Sequence, residues 1–159
     1  MKRTRARATR GERAVSSTPQ KHWSVMTMVA AISLSGVVAS LTYEGATDSE
    51  SFAAFIEQVL GPQLRSGDVV FMDNLSAHKT VRVRQALEAR GATMVLLPPY
   101  SPDLNPIEKA WSKVKSCLRT QAARSLLTLG YAIGEALNRI TTSDCCGYFR
   151  SCGIPATLH

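Results

Sequence analysis

An aspartate that ends an apolar run and a glutamate that opens a helix constrain this chain more than any other feature. Val69-Val70-Phe71-Met72 is a short run of β-branched and bulky residues that reads as a buried strand ending at Asp73. Glu108 starts an amphipathic helix behind a proline-studded loop, Pro98-Pro99-Tyr100-Ser101-Pro102, and 34 residues (positions 74 to 107) lie between the two acids. That interval holds one helical pattern and one further strand, Thr93 to Leu97, so a strand–helix–strand–helix unit separates them. In a parallel unit of this kind the end of the first strand and the loop after the second reach the same sheet edge. Two carboxylates can meet there, within about 8 Å, and supply the hard oxygen ligands that a divalent cation requires.

The rest of the chain has to build the support for that edge. At 159 residues there is enough sequence for one domain with a real core, and 45% hydrophobic against 19% charged residues excludes a disordered chain. The formal charge of +7 favours an anionic partner, nucleic acid first. Much of it sits in the first fourteen residues, where Lys2, Arg3, Arg5, Arg7, Arg10 and Arg13 oppose Glu12 alone. Four cysteines, Cys117, Cys145, Cys146 and Cys152, show no paired zinc spacing and read as reduced thiols.

The uncharged stretch from Trp23 to Tyr43 imitates a secretory signal or a membrane helix, but Ser24, Thr27, Ser33, Ser35, Ser40 and Thr42, with Gly36 near its middle, argue against both. Two strands, roughly 23–33 and 37–43, turning near Leu34-Ser35-Gly36, explain the same residues. A helix capped by Asp48 or Ser49 follows, with Phe52, Phe55, Ile56, Val59 and Leu60 on one face and an end near Gly61-Pro62. After Asp73 the pattern predicts a helix over about Ala77 to Arg90, with Val81, Ala86 and Leu87 inward and Gly91 closing it. Lys79, Arg82, Arg84 and Arg90 then line a polar side, either solvated or facing phosphate.

Asn105, Pro106 and Glu108 suit the cap, first and third positions of the next helix, so a capping box is the structural alternative to any chemical role for Glu108. Ile107, Ala110, Trp111, Val114 and Leu118 form its buried stripe, while Lys109, Lys113, Lys115 and Arg119 face outward. A further helix over about Ser125 to Ile140 buries Leu126, Leu129, Ile133, Leu137 and Ile140, and Cys145 to Cys152 belongs to a short closing helix.

Asp73-Asn74 with Ala77-His78, then Leu97-Pro98-Pro99-Tyr100-Ser101-Pro102-Asp103-Leu104-Asn105-Pro106-Ile107-Glu108, then Trp111 and Lys115, resembles the DDE superfamily transposases. The likeness is to the mariner-like bacterial insertion-sequence branch, whose second Asp and final Glu have the same spacing. It implies an α/β, ribonuclease-H-like fold of the retroviral-integrase type, a mixed sheet flanked by helices. It also implies one catalytic domain over 1–159, with a basic lead at 1–22, a catalytic core at 23–120 and C-terminal helices at 121–159.

The implied function is DNA transposition by a Mg²⁺-dependent endonuclease and strand transferase acting on transposon ends. Asp73 and Glu108 are then both catalytic residues and ligands for Mg²⁺ or Mn²⁺ in a two-metal site, the ions roughly 3.5–4 Å apart. Asn74 would orient Asp73, and His78 would touch DNA or the metal's outer shell unless it simply packs. Implied partners are DNA (transposon ends and target) and further copies on DNA, in the bacterial cytoplasm at the nucleoid, with no membrane.

The family's first Asp lies on a central strand just before an Arg-rich segment that Thr4 to Arg13 match. The chain therefore resembles a transposase truncated at its N-terminus, lacking that strand, that Asp and the helix-turn-helix that reads element ends. Asp48 aligns with a helix cap, not with the missing acid. The implied consequence is a chain inactive alone, completed by an upstream transposase segment. The alternative is an inactive fragment that binds DNA or other subunits.

Overall fold

The computed structural model describes residues 10–11, 26–121 and 125–156, so most of the basic lead and the expected strand residues 23–25 lie outside it. β1 (Met26–Ser33) and β2 (Gly36–Glu44) form an antiparallel hairpin in which Ser33 pairs with Gly36 across a two-residue turn. Gly36 sits at φ +131°, where a side chain would be strained, so the turn needs glycine there. A register shift between Ala31 and Ile32 bends the hairpin.

Asp48 caps α1 (Ser49–Phe55) through a reciprocal pair: its carboxylate accepts from the Ser51 N–H (2.8 Å), and the Ser51 hydroxyl accepts from the Asp48 N–H (3.1 Å). Those hydrogen bonds hold the Asp48 carboxyl below the usual carboxylate range. The expected single helix to Gly61 instead widens into a π turn over Ile56–Leu60 and tightens into a 3₁₀ turn at Gly61–Gln63. Phe52, Phe55, Ile56 and Leu60 are buried nonetheless, because the apolar residues still share the core-facing side.

β3 (Val69–Met72) and β4 (Thr93–Leu96) pair in parallel, Val69 with Thr93 through Met72 with Leu96. The helix between them is shorter than its sequence pattern. Ser76–Lys79 is a 3₁₀ turn, Thr80 is extended, and α2 begins at Val81 and runs to Glu88. Thr80 is the cap, its hydroxyl accepting from the Val83 N–H at 3.3 Å. That start reverses an expectation: Val81 is 71% exposed, and Val83 joins Leu87 in the core with no exposed surface. Gly91, at φ +69°, closes the helix, its N–H bonded to the Glu88 carbonyl. Arg82 is not free for phosphate either; its guanidinium grips the Glu57 carboxylate twice, at 2.7 and 2.8 Å, and fastens α2 to the π turn.

α3 (Pro106–Gln121), α4 (Leu126–Asn138) and α5 (Thr142–Ser151) pack together. Ala110, Val114 and Leu118 are buried on α3 as its spacing predicts, with Ile107 and Trp111 half-buried beside them. On α4, Ile133 and Leu137 are buried, whereas Leu126 is exposed in the first turn and Ala132 and Ala136 fill the contact. Lys113 is not a free surface lysine: partly exposed, its ammonium reaches Asp144 of α5. All four cysteines are free thiols. Among the described residues no helix is long and apolar enough to cross a membrane.

Two apolar clusters result, and the hairpin lies between them. Val29 and Ala31 of β1 pack with α1, α2 and β3, while Met26, Met28 and Ile32 pack with α3, α4 and α5. This is the period-two alternation of a strand covered on both faces. The second pair differs. Val70 and Met72 join the first cluster, but Val69 is 50% and Phe71 38% exposed, so among the described residues the strand expected to be fully buried is covered on one face only. The described residues form two separate two-stranded sheets rather than one mixed sheet.

Candidate active site

Asp73 directly follows β3, where the backbone leaves the sheet. Its Oδ1 accepts from the Leu75 N–H at 3.2 Å, a local turn of the kind aspartate favours. His78, carried on the next 3₁₀ turn, brings Nδ1 within 2.6 Å of the same oxygen. The imidazole lies against the Phe52 ring, centroids 4.0 Å apart, which fixes its plane. His78 is therefore a packed residue that holds Asp73. Among the described residues Oδ2 of Asp73 has no hydrogen-bond partner.

Glu108 sits in the first turn of α3 and is exposed. The expected capping box is not what closes this helix: the Glu108 N–H bonds the Asn105 backbone carbonyl at 3.1 Å. The Glu108 carboxylate makes no hydrogen bond or ion pair among the described residues. The loop before it is held from below, where the Cys152 thiol donates to the Asp103 carbonyl at 3.1 Å. Tyr100 at the loop tip is fully exposed at φ 56°, a left-handed conformation that costs a non-glycine residue about 1–2 kcal/mol.

Asp73, His78, Asn105 and Glu108 line one cavity of about 820 Å³. Asp48 is not among its lining residues, in keeping with its capping role. No three His, Cys, Asp or Glu side chains cluster as a metal cage among the described residues. Asp73 and Glu108 thus offer hard ligands but fall short of a complete two-ion site by themselves.

The family profile described as DDE superfamily endonuclease matches residues 1–129. The chain belongs to that family.

Solved structures agree on the fold of this DDE-family chain. It is similar to the Mos1 transposase paired-end complex with the left transposon end, with a TM-score of 0.75 at 18% identity, covering 96% of this chain and 47% of that one. The Mos1 mariner paired-end complex with Mn gives 0.68 at 20% identity, over 96% and 47% of the two chains. The catalytic domain of Mos1 mariner transposase gives 0.63 at 19% identity, over 80% and 67%. The DDE-family chain therefore has the ribonuclease-H-like α/β fold, and it spans about half the length of the full transposase chains it matches. No curated protein matches it. Sequence reasoning missed the His78–Asp73 pair as a structural unit. The five-residue offset hinted at it, but only the 3₁₀ turn brings the ring back over the carboxylate.

Proposed function

We propose that this chain is the larger part of a DNA transposase catalytic domain, acting as an endonuclease and strand transferase on transposon-end DNA. The observation that carries the reading is that Asp73 and Glu108, far apart in sequence, line one cavity in a member of the DDE superfamily endonuclease family. Among the described residues each acid keeps at least one carboxylate oxygen without a hydrogen-bond or ion-pair partner, which suits them to hold a hard divalent cation, Mg²⁺ or Mn²⁺. When bound, such ions neutralise charge on the phosphoryl oxygens and generate the attacking hydroxide. The chain's own contribution is placement: His78 and the Leu75 N–H hold one oxygen of Asp73, and the first turn of α3 presents Glu108.

Among the described residues no third His, Cys, Asp or Glu joins Asp73 and Glu108 in a metal-holding cluster, which favours a second reading of the chain as it stands. By itself it binds DNA and does not cut it; a further acid from an upstream transposase segment completes the centre. Duplex DNA of transposon ends and targets is the partner, copies assemble on it, and the site of action is the bacterial nucleoid. The +7 charge supports non-specific attraction to phosphate.

The test is Mg²⁺-dependent nicking of supercoiled plasmid by this chain co-purified with the polypeptide encoded immediately upstream. Nicking should require that polypeptide and vanish in Asp73→Asn and in Glu108→Gln. Undiminished nicking by either variant would remove that residue from the metal site.

A further inference from the structure

Glu108 stands exposed in the first turn of α3, so the backbone that leads into the helix decides where its carboxylate lies. That backbone is short of its own donors, since Pro98, Pro99, Pro102 and Pro106 carry no N–H. Two 3₁₀ bonds form before the helix: the Leu104 N–H donates to the Ser101 carbonyl at 3.2 Å, and the Asn105 N–H to the Pro102 carbonyl at 3.1 Å. The next bond of that series would join the Asp103 carbonyl to the N–H of residue 106, which is proline. The series is therefore one donor short at Asp103. The Cys152 thiol, itself buried, supplies that donor at 3.1 Å.

We propose that Cys152 is a positioning residue, whose thiol completes the Asp103 turn from α5 and so sets where Glu108 meets the cavity. α5 is built to act as the fixed point. Its first residue, Thr142, donates from its hydroxyl to the Ser35 carbonyl at 3.2 Å, and Asp144 binds Lys113 of α3. Phe149 lines the same cavity as Asp73 and Glu108. At the far end Cys152 closes the helix, its N–H on the Phe149 carbonyl at 3.0 Å, which leaves the thiol little freedom to follow a moving loop.

Between Asp103 and Glu108 the chain has little slack. Asn105 and Pro106 are buried, proline fixes its own φ, and the Glu108 N–H is tied to the Asn105 carbonyl. A shift at Asp103 is thus passed on to Glu108. α5 lies beyond residues 1–129, the stretch that matches the family profile, so this support comes from outside the matched stretch. The proposal rests on the reading of Glu108 as a metal ligand, and its test separates the two.

The test compares Cys152→Ser, Cys152→Ala and Cys152→Val in the full chain, by amide hydrogen exchange and by Mn²⁺ binding followed with electron paramagnetic resonance. Serine keeps a donor; alanine and valine do not, and valine fills the volume should the alanine chain lose its fold. A thiol that only packed would be replaced better by valine than by polar serine, and a thiol that donates, better by serine. We expect the Leu104, Asn105 and Glu108 amides to exchange roughly fivefold faster or more in the alanine and valine variants, to stay within about twofold in the serine variant, and Tyr148 and Phe149 of α5 to be unchanged throughout. Mn²⁺ affinity should fall by roughly fivefold or more in the same two variants and recover with serine. Serine no better than valine would overturn the proposal. So would a loosened turn that leaves Mn²⁺ affinity intact while Glu108→Gln lowers it. A Glu108→Gln chain that binds Mn²⁺ unchanged would sink the metal reading alone, and the exchange ratio between serine and valine would still decide the positioning.

Discussion

Asp144 should act as an acid-sensitive latch on the C-terminal helices. Its carboxylate accepts from the Lys113 ammonium and from both the N–H and hydroxyl of Thr141, each at 2.8 Å, so α5 is capped and docked on α3 by one group. The Lys113 hydrogen bond, then those from Thr141, depress its pKa from 3.8 to about 2. The bond to Asp144 likewise raises the pKa of Lys113. A depressed carboxylate stabilises the fold fully above its unfolded pKa and loses that contribution as pH falls through the folded one, so the window here is about pH 4 to 2.

Taken whole, the depression corresponds to about 2.4 kcal/mol. Both side chains retain contact with water, at 33% and 26% exposure, which reduces this to about 1 kcal/mol. Amide exchange in α5 is the assay, corrected for intrinsic rates. Lowering the pH from 5 to 2 should speed α5 exchange by roughly fivefold, and Asp144→Asn should exchange faster at pH 5 with a flatter pH response. An α5 whose protection is unchanged down to pH 2, or an Asn variant with the same acid loss, would refute the latch. The effect should spread to the site loop, since α5 also holds the Asp103 carbonyl through Cys152.

Other expectations follow from burial and backbone geometry. Leu87→Ala, at a position with no exposed surface, should destabilise by about 2–4 kcal/mol, while Val81→Ala should stay within about 0.5 kcal/mol, both read by urea unfolding. Gly91→Ala places a methyl group 2.7 Å from the Ser66 hydroxyl at a positive φ, and should cost about 1–3 kcal/mol in the same assay. Glu108→Gln, at an exposed position with no side-chain hydrogen bond or ion pair among the described residues, should change stability by less than about 0.5 kcal/mol and should abolish cleavage by the completed enzyme. The chain alone should bind duplex DNA non-specifically, weaken steeply between about 50 and 200 mM salt in a filter or anisotropy titration, and show no nicking.

The order of elements, the strand ending at Asp73, the hairpin turn at Leu34-Ser35 and the helix opening before Glu108 were legible in the sequence, because each depends on local chemistry. Apolar runs, proline and glycine punctuation and cap residues act within a few positions of themselves. Asp48 took its capping role for the same reason. What the sequence left open depended on partners far along the chain. The pattern over Ala77 to Arg90 fits one helix, yet the turn carrying His78 stops at Lys79, and Thr80 restarts the helix one register later. Val83 turns inward with Leu87, its neighbour one turn on, and Val81 outward, a distinction that the 3.6-residue period of the segment already carried.

Lys113 reads as a solvent-facing lysine until Asp144 arrives from 31 residues away. Val69 and Phe71 read as core, but burial of a strand requires a layer on each face. The described helices α3, α4 and α5 pack on the hairpin, and among the described residues that face of β3 is left lining the cavity, partly exposed. Composition determines that these residues favour burial; only the packing of distant elements decides which of them obtain it.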